Sequence, residues 1–168
     1  MKKIFSVIML SSLSIMFWLH YQTPPPQGKA DKIQVEKSAR QLSLYTQGKL
    51  LKTYSVSLGF QPEGKKQQEG DGRTPEGVYT IDYKNPNSRY HLSLHVSYPD
   101  ANDTKNAEKL GVSAGGNIMI HGMKNGYGYI GKLHRFKDWT AGCIAVTDKE
   151  MDEIWQAVDE GTTIEIKP

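Results

Sequence analysis

The chain of 168 residues is short of several things, and each shortage excludes something. It has one cysteine, Cys143, so no intramolecular disulfide is available to staple it. It has almost no charge of one sign. Setting Lys2 and Lys3 apart from the 21 basic residues leaves 19 against 18 acidic ones, too even a balance for the clustered positive field that nucleic acid requires. No repeat of fixed period runs through it. Beyond the first twenty positions no apolar run is long enough to span a bilayer. What remains, 38% hydrophobic and 23% charged, fits one globular domain with its own core.

The N-terminus departs from the rest. Two lysines precede the uncharged stretch Ile4–Leu19, the n-region and h-region pattern of an export signal. As a helix its sixteen positions would rise about 24 Å, slightly less than a hydrocarbon core of about 30 Å. Residues 1–21 are therefore expected to be a signal peptide or a membrane anchor, and 22–31, with Pro24, Pro25 and Pro26, a stiff linker. Either reading places the body, 32–168, outside the cytoplasmic membrane: periplasmic, or anchored to the outer side of the inner membrane.

Within the body, alternation dominates. Leu42 and Leu44 share a face, Gln47-Gly48 is a turn signal, and Tyr54, Val56 and Leu58 share a face again. Pro62–Arg73 is polar and glycine-rich and reads as a loop. Strands are expected at Val78–Tyr83, Tyr90–Tyr98, Asn117–His121 and Thr162–Ile166. Asp100–Leu110 reads as a short helix capped by Asp100. A second helix starts at the Thr147/Glu150 capping box, carries Met151, Ile154, Trp155 and Val158 on one face, and is expected to close at Gly161. Many short strands with one or two short helices predict a mainly β, sandwich- or barrel-like domain.

A lone cysteine in an exported chain is a reactive thiol or a small buried hydrophobe. Its setting, W-T-A-G-C-I-A-V-T, favours reactivity: Gly142 permits close backbone approach, and the N–H groups of Gly142 and Cys143 could stabilise an oxyanion. A nucleophilic thiol needs a base. His121, at the end of a strand and facing away from Ile118 and Ile120, is the first candidate, and His134 the competing one. Lys124, Lys132, Arg135 and Lys137, against the single acid Asp138, would depress the thiol pKa and attract carboxylates. Arg135 is the best single carboxylate clamp because its planar fork grips two oxygens. His91 and His95 invite a zinc reading, but on one strand their Cα atoms would lie about 13 Å apart, too far for two ligands of one ion.

I-M-I-H-G (118–122) and T-A-G-C-I-A-V-T (140–147), with G-D-G-R-T-P-E-G-V-Y (70–79) upstream, resemble the L,D-transpeptidase catalytic domain family (YkuD-like), in a Gram-negative subgroup with a T-x-G-C-I-A-x-T element. The resemblance implies a β-sandwich-like fold and a cysteine acyl-transferase for peptidoglycan stem peptides, concerned with cell-wall organisation and cell shape. The alternatives are a hydrolytic relative and a catalytically silent wall-binding module. It makes Cys143 the nucleophile, His121 the base, the Gly122 carbonyl the group fixing its tautomer, and Gly142 part of the oxyanion hole. Arg135, His134, Trp139 and Thr140 are the candidate substrate contacts. No cofactor, metal or nucleic acid is expected. The partners are stem peptides or a wall-attached protein, with membrane contact only through the N-terminal segment. Ala141 departs from the pattern, standing where many members carry a second histidine.

Overall fold

The computed structural model describes residues 24–168; the proposed signal or anchor segment lies outside the described residues. Eight strands form one sheet: β1 (Ala30–Glu36), β2 (Gln41–Thr46), β3 (Lys49–Ser55), β4 (Gly77–Asn85), β5 (Ser93–Val96), β6 (Met119–His121), β7 (Ile144–Ala145) and β8 (Val158–Lys167). Helix α1 is Ala101–Lys109, α2 is Asp148–Ala157, and Gly128–Phe136 winds as a 3₁₀ segment kinked at Gly131. The spatial order is β3-β2-β1-β8-β4-β5-β6-β7. Among the described residues, no helix is long and apolar enough to cross a membrane.

Alternation in sequence becomes apolar rows across the sheet, because residues facing each other in register share a face. Leu44, Ile33, Ile164 and Tyr79 form one row, and Leu94, Ile120 and Ile144 another. All seven are buried. Helix α2 lays Met151, Ile154 and Ala157 against this core. Helix α1 is held from beneath by Asp103, which accepts a 2.8 Å hydrogen bond from the Tyr79 hydroxyl and pairs with Lys65 at 2.8 Å.

The two outermost strands of the sheet, β3 and β7, are brought together. Just past β3, Ser57 bridges to Ala145 antiparallel and Gly59 to Thr140 in parallel. The sheet is therefore curled, in keeping with the barrel-like expectation, and at Ala145 the edge of β7 is covered by the segment that follows β3.

Several boundaries differ from the sequence reading, among them β4, which extends to Gly77–Asn85, and three with a local backbone cause. The Tyr90–Tyr98 strand shrinks to Ser93–Val96, because His91 takes a left-handed φ of 63° that a strand cannot continue through. Strand β6 starts at Met119 because Asn117 does the same at 54°. Helix α2 ends at Ala157; Val158 turns extended to begin β8, and Gly161 lies inside that strand rather than capping the helix.

The α2 cap is as expected: the Thr147 hydroxyl accepts from the Glu150 N–H while the Glu150 carboxylate accepts from the Thr147 N–H. Thr147→Ala should lower unfolding free energy by about 1 kcal/mol, read as a shift of the urea midpoint at unchanged slope.

Candidate active site

His121 closes β6 with its ring on the face opposite to Ile120, and it is buried. Its Nδ1 lies 2.7 Å from the carbonyl of Gly122. A carbonyl only accepts, so Nδ1 carries the proton and Nε2 the lone pair. Gly122 has to be glycine: a Cβ there would stand 2.7 Å from Asp148 Oδ1 and 2.9 Å from His91 Cβ. The chain beyond is anchored by the Met123 N–H donating to Asp148 Oδ1 at 2.7 Å. The imidazole packs against Tyr90 at 4.7 Å between ring centres and edge-on to Trp139 at 5.8 Å.

Cys143 sits between two fixed points. On one side the Thr140 N–H donates to Leu58 O and the Phe60 N–H to Thr140 O; on the other Ser57 and Ala145 exchange both backbone hydrogen bonds. The thiol is partly exposed and lies 3.6 Å from the carbonyl of Asn117. Gly142 before it has φ 134°, and a Cβ would stand 2.7 Å from the Arg73 carbonyl, so the 70–79 motif packs directly on the nucleophile turn. His121, Trp139, Thr140 and Cys143 line one groove with Asn85, Ser88, Arg89, Tyr90, Ser93, Asn117, Ala141 and Met119, of about 470 Å³.

Burial pushes the Cys143 thiol up from its ordinary value; the Met119 N–H and the Lys66 ammonium oppose it without reversing it. Burial also pushes His121 down, against the Gly122 hydrogen bond. The resting pair is thus thiol and neutral imidazole. This corrects the expectation that the basic stretch 124–137 holds a thiolate: the cation that acts on Cys143 is Lys66, paired with Asp71 at 2.7 Å inside the upstream loop.

Several sequence-expected contacts are placed elsewhere. Arg135 is not in the groove; its guanidinium donates to both oxygens of Glu150 at 2.6 Å, so the fork expected to grip substrate already holds a carboxylate. Burial works against the Glu150 charge, yet the Arg135 and Thr147 hydrogen bonds keep its pKa below the usual range. His134 is buried away from the thiol, with Nδ1 3.0 Å from Ser57 Oγ, and desolvation drives its pKa down to about 4. Thr140 turns inward: its hydroxyl donates to the Cys143 carbonyl at 2.7 Å and accepts from the Gly142 N–H at 3.1 Å. That bond engages the donor expected to serve the oxyanion. Trp139 does line the groove.

His91 and His95 do not share a strand; they pair separately with Asp152 at 2.7 Å and Asp82 at 2.6 Å. Among the described residues there is no cluster of three or more His, Cys, Asp or Glu able to hold a metal. Tyr90 and Asn117 are among the groove residues that sequence reasoning missed, together with Asn85, Ser88, Arg89 and Ser93. Tyr90 was hidden in a strand pattern, and only the polar residue ahead of I-M-I-H-G marks Asn117.

Two measurements follow. Iodoacetamide alkylation of Cys143 should rise with pH through an inflection above that of a free cysteine, because the reactive thiolate forms only there; an inflection below it would mean a resting ion pair. Arg135→Ala should act on stability, costing about 1–3 kcal/mol in urea unfolding by leaving Glu150 unpaired.

Residues 30–166 match the family model YkuD, the L,D-transpeptidase catalytic domain. The chain is 31% identical over 132 residues to YafK of Escherichia coli K12, a provisionally named L,D-transpeptidase; the match takes in 75% of this chain and 46% of that protein. The chain thus spans about half the length of the curated relatives it matches. The helical cell shape determining protein Pgp2 of Campylobacter jejuni superposes with a TM-score of 0.61 at 26% identity, over 90% of this chain and 54% of that one. An L,D-transpeptidase from Mycobacterium smegmatis shares the fold, with a TM-score of 0.55 at 13% identity over 82% of this chain and 58% of that one. With its curled sheet and a family match running from β1 to β8, the chain belongs to the L,D-transpeptidase catalytic domain family.

Proposed function

We propose that this protein is a cysteine acyl-transferase acting on peptidoglycan stem peptides outside the cytoplasmic membrane. The observation that carries this reading is one groove lined by both Cys143 and a buried His121 whose tautomer is fixed with Nε2 unprotonated. The family membership and the likeness to Pgp2, whose name ties it to cell shape, support the wall as substrate. The uncharged run Ile4–Leu19 supports export.

In the reaction His121 Nε2 takes the Cys143 proton as sulfur attacks the carbonyl carbon of the donor peptide bond. The Cys143 N–H serves the oxyanion, since Thr140 holds the Gly142 N–H. Collapse breaks the C–N bond, and the imidazolium returns its proton to the leaving amine. A thioester remains on Cys143. An acceptor amine then attacks it, His121 takes the amine proton, and the C–S bond breaks as the imidazolium passes that proton to the sulfur, restoring the thiol. Water in place of the amine makes the same step hydrolysis.

The pair starts neutral, so no charge separation is stored in the free enzyme; the proton moves only as substrate binds. Thr140 acts as a positioning residue that fixes the turn bearing the nucleophile. The Met119 N–H, which favours the sulfur anion, supplies further stabilisation at the moment of attack.

Purified sacculi or isolated muropeptides incubated with the enzyme, followed by intact-protein mass spectrometry, test the reading. Wild type should carry an acyl adduct on Cys143, whereas Cys143→Ser should carry none. His121→Ala should acylate at least about 10²-fold more slowly. Wild-type turnover by Cys143→Ser would overturn the assignment.

A further inference from the structure

The turn between β4 and β5 forms one wall of the groove through Asn85, Ser88 and Arg89. Asn125 pins it from the far side. The Asn125 N–H donates to the Arg89 carbonyl at 2.9 Å, its side-chain amide donates to the Ser88 carbonyl at 3.0 Å, and its Oδ1 accepts from the His91 N–H at 2.8 Å. The His91 ring then lies 2.7 Å from Asp152 Oδ1.

This bonding spends acceptors and leaves donors. Asn125 takes the carbonyls of both Ser88 and Arg89. Asn85 Oδ1 accepts from the Asn87 N–H at 3.0 Å, and Ser88 Oγ accepts from the Tyr90 N–H at 3.0 Å. What the three lining side chains have left is the Asn85 amide N–H groups, the Ser88 hydroxyl proton and the Arg89 guanidinium. None of these has a partner among the described residues.

Charge points the same way. Arg89 is exposed, and it is the one groove-lining side chain that carries a full charge: no Asp, Glu or Lys joins the lining, and His121 is neutral. The other cations discussed at the site are engaged, Lys66 by Asp71 and Arg135 by both oxygens of Glu150. A wall of donors with one unpaired guanidinium suits a group that is negative and only accepts. A carboxylate is that group, and the planar fork of arginine matches its two oxygens. A primary amide of the same shape loses the charge and sets its own N–H groups against these donors.

We propose that Asn85, Ser88 and Arg89 form a carboxylate subsite of the groove, with Arg89 as its charged contact, and that it selects peptides bearing a free carboxylate over their amidated forms. The carboxylate grip expected of Arg135 thus falls to Arg89. The peptide held is the one that acylates Cys143, because wall and thiol line the same groove. That role in acylation rests on the acyl-transfer reading above; the binding preference does not.

The experiment separates the two. A stem peptide isolated from the wall, and the same peptide with its carboxylates converted to primary amides, are titrated calorimetrically into the full-length chain carrying Cys143→Ser. The free peptide should bind about tenfold or more tightly, and high salt should narrow the gap, as it does for an exposed charge. Adding Arg89→Ala should level the two affinities at an unchanged urea midpoint. Arg89→Lys should keep part of the preference, since it keeps the charge and loses the fork, and Arg135→Ala should keep all of it. Equal affinities without the Arg89 change, no binding of either peptide, or a preference that survives Arg89→Ala would overturn the subsite. In a second arm, acylation of the intact Cys143 is followed by mass spectrometry. The free peptide should again lead, through KM rather than kcat, and Arg89→Ala should remove its lead. Discrimination in binding without discrimination in acylation would overturn the placement on the acylating peptide. Failure of Cys143 to acylate at all would overturn the reading it rests on, and the binding result would stand.

Discussion

Everything at the site depends on the closure of the sheet upon itself. Strands β6 and β7 carry the chemistry, and they are three and two residues long. Ladders that short hold little by themselves. The segment after β3 makes up the deficit. Ser57 and Ala145 exchange backbone hydrogen bonds of 3.0 and 2.8 Å, Leu58 and Phe60 grip Thr140 on either side, and the Leu58 N–H donates to Asp138 at 2.8 Å. Cys143 is suspended between Thr140 and Ala145, both fixed to the same strap. Tight approach is built in at Gly142, where the Arg73 carbonyl occupies the space a side chain would need.

Charge is arranged to serve this geometry more than to recruit substrate. Arg135 ties the 3₁₀ segment to Glu150, and Glu150 is also the third residue of the α2 capping box. The segment over the site and the helix start therefore share one carboxylate. Asp138 does likewise, pairing with Arg40 at 2.9 Å while accepting from the strap. Near the thiol, burial outweighs the charges that act on it, so His121 and Cys143 rest neutral. A neutral dyad costs less to bury than an ion pair with no solvent to stabilise it.

What could be read from the sequence was local. The alternation of Leu42 and Leu44 marked β2, the Thr147/Glu150 spacing gave the α2 cap, and I-M-I-H-G put His121 on the face away from Ile120, whereas the face of Tyr54, Val56 and Leu58 runs past the end of β3 at Ser55. The contacts that fix the site join residues far apart in the chain, such as Ser57 with Ala145 and Arg135 with Glu150, and no period announces them. Arg135 was misread for that reason: a basic run looks solvated until its partner is placed. Thr140 does line the groove, but the sequence did not announce that its hydroxyl is engaged by two backbone groups within three residues, in a turn whose closure depends on the strap. His91 and Asn117 delay the starts of β5 and β6 through left-handed φ values that their neighbours do not signal.

The two aromatic rings that pack on His121 bind these layers together. Tyr90 and Trp139 stack on each other at 6.4 Å, pack on the imidazole, and line both the groove and a neighbouring apolar hollow. A change in either ring therefore alters the base and both spaces at once, and its kinetic effect divides between steps. Ile130 and His134 line only the neighbouring hollow, while Asn117 and Cys143 line only the groove. Trp139 immediately precedes Thr140, which the strap holds through both of its backbone groups, so the ring beside His121 is positioned by the same closure that positions the nucleophile turn.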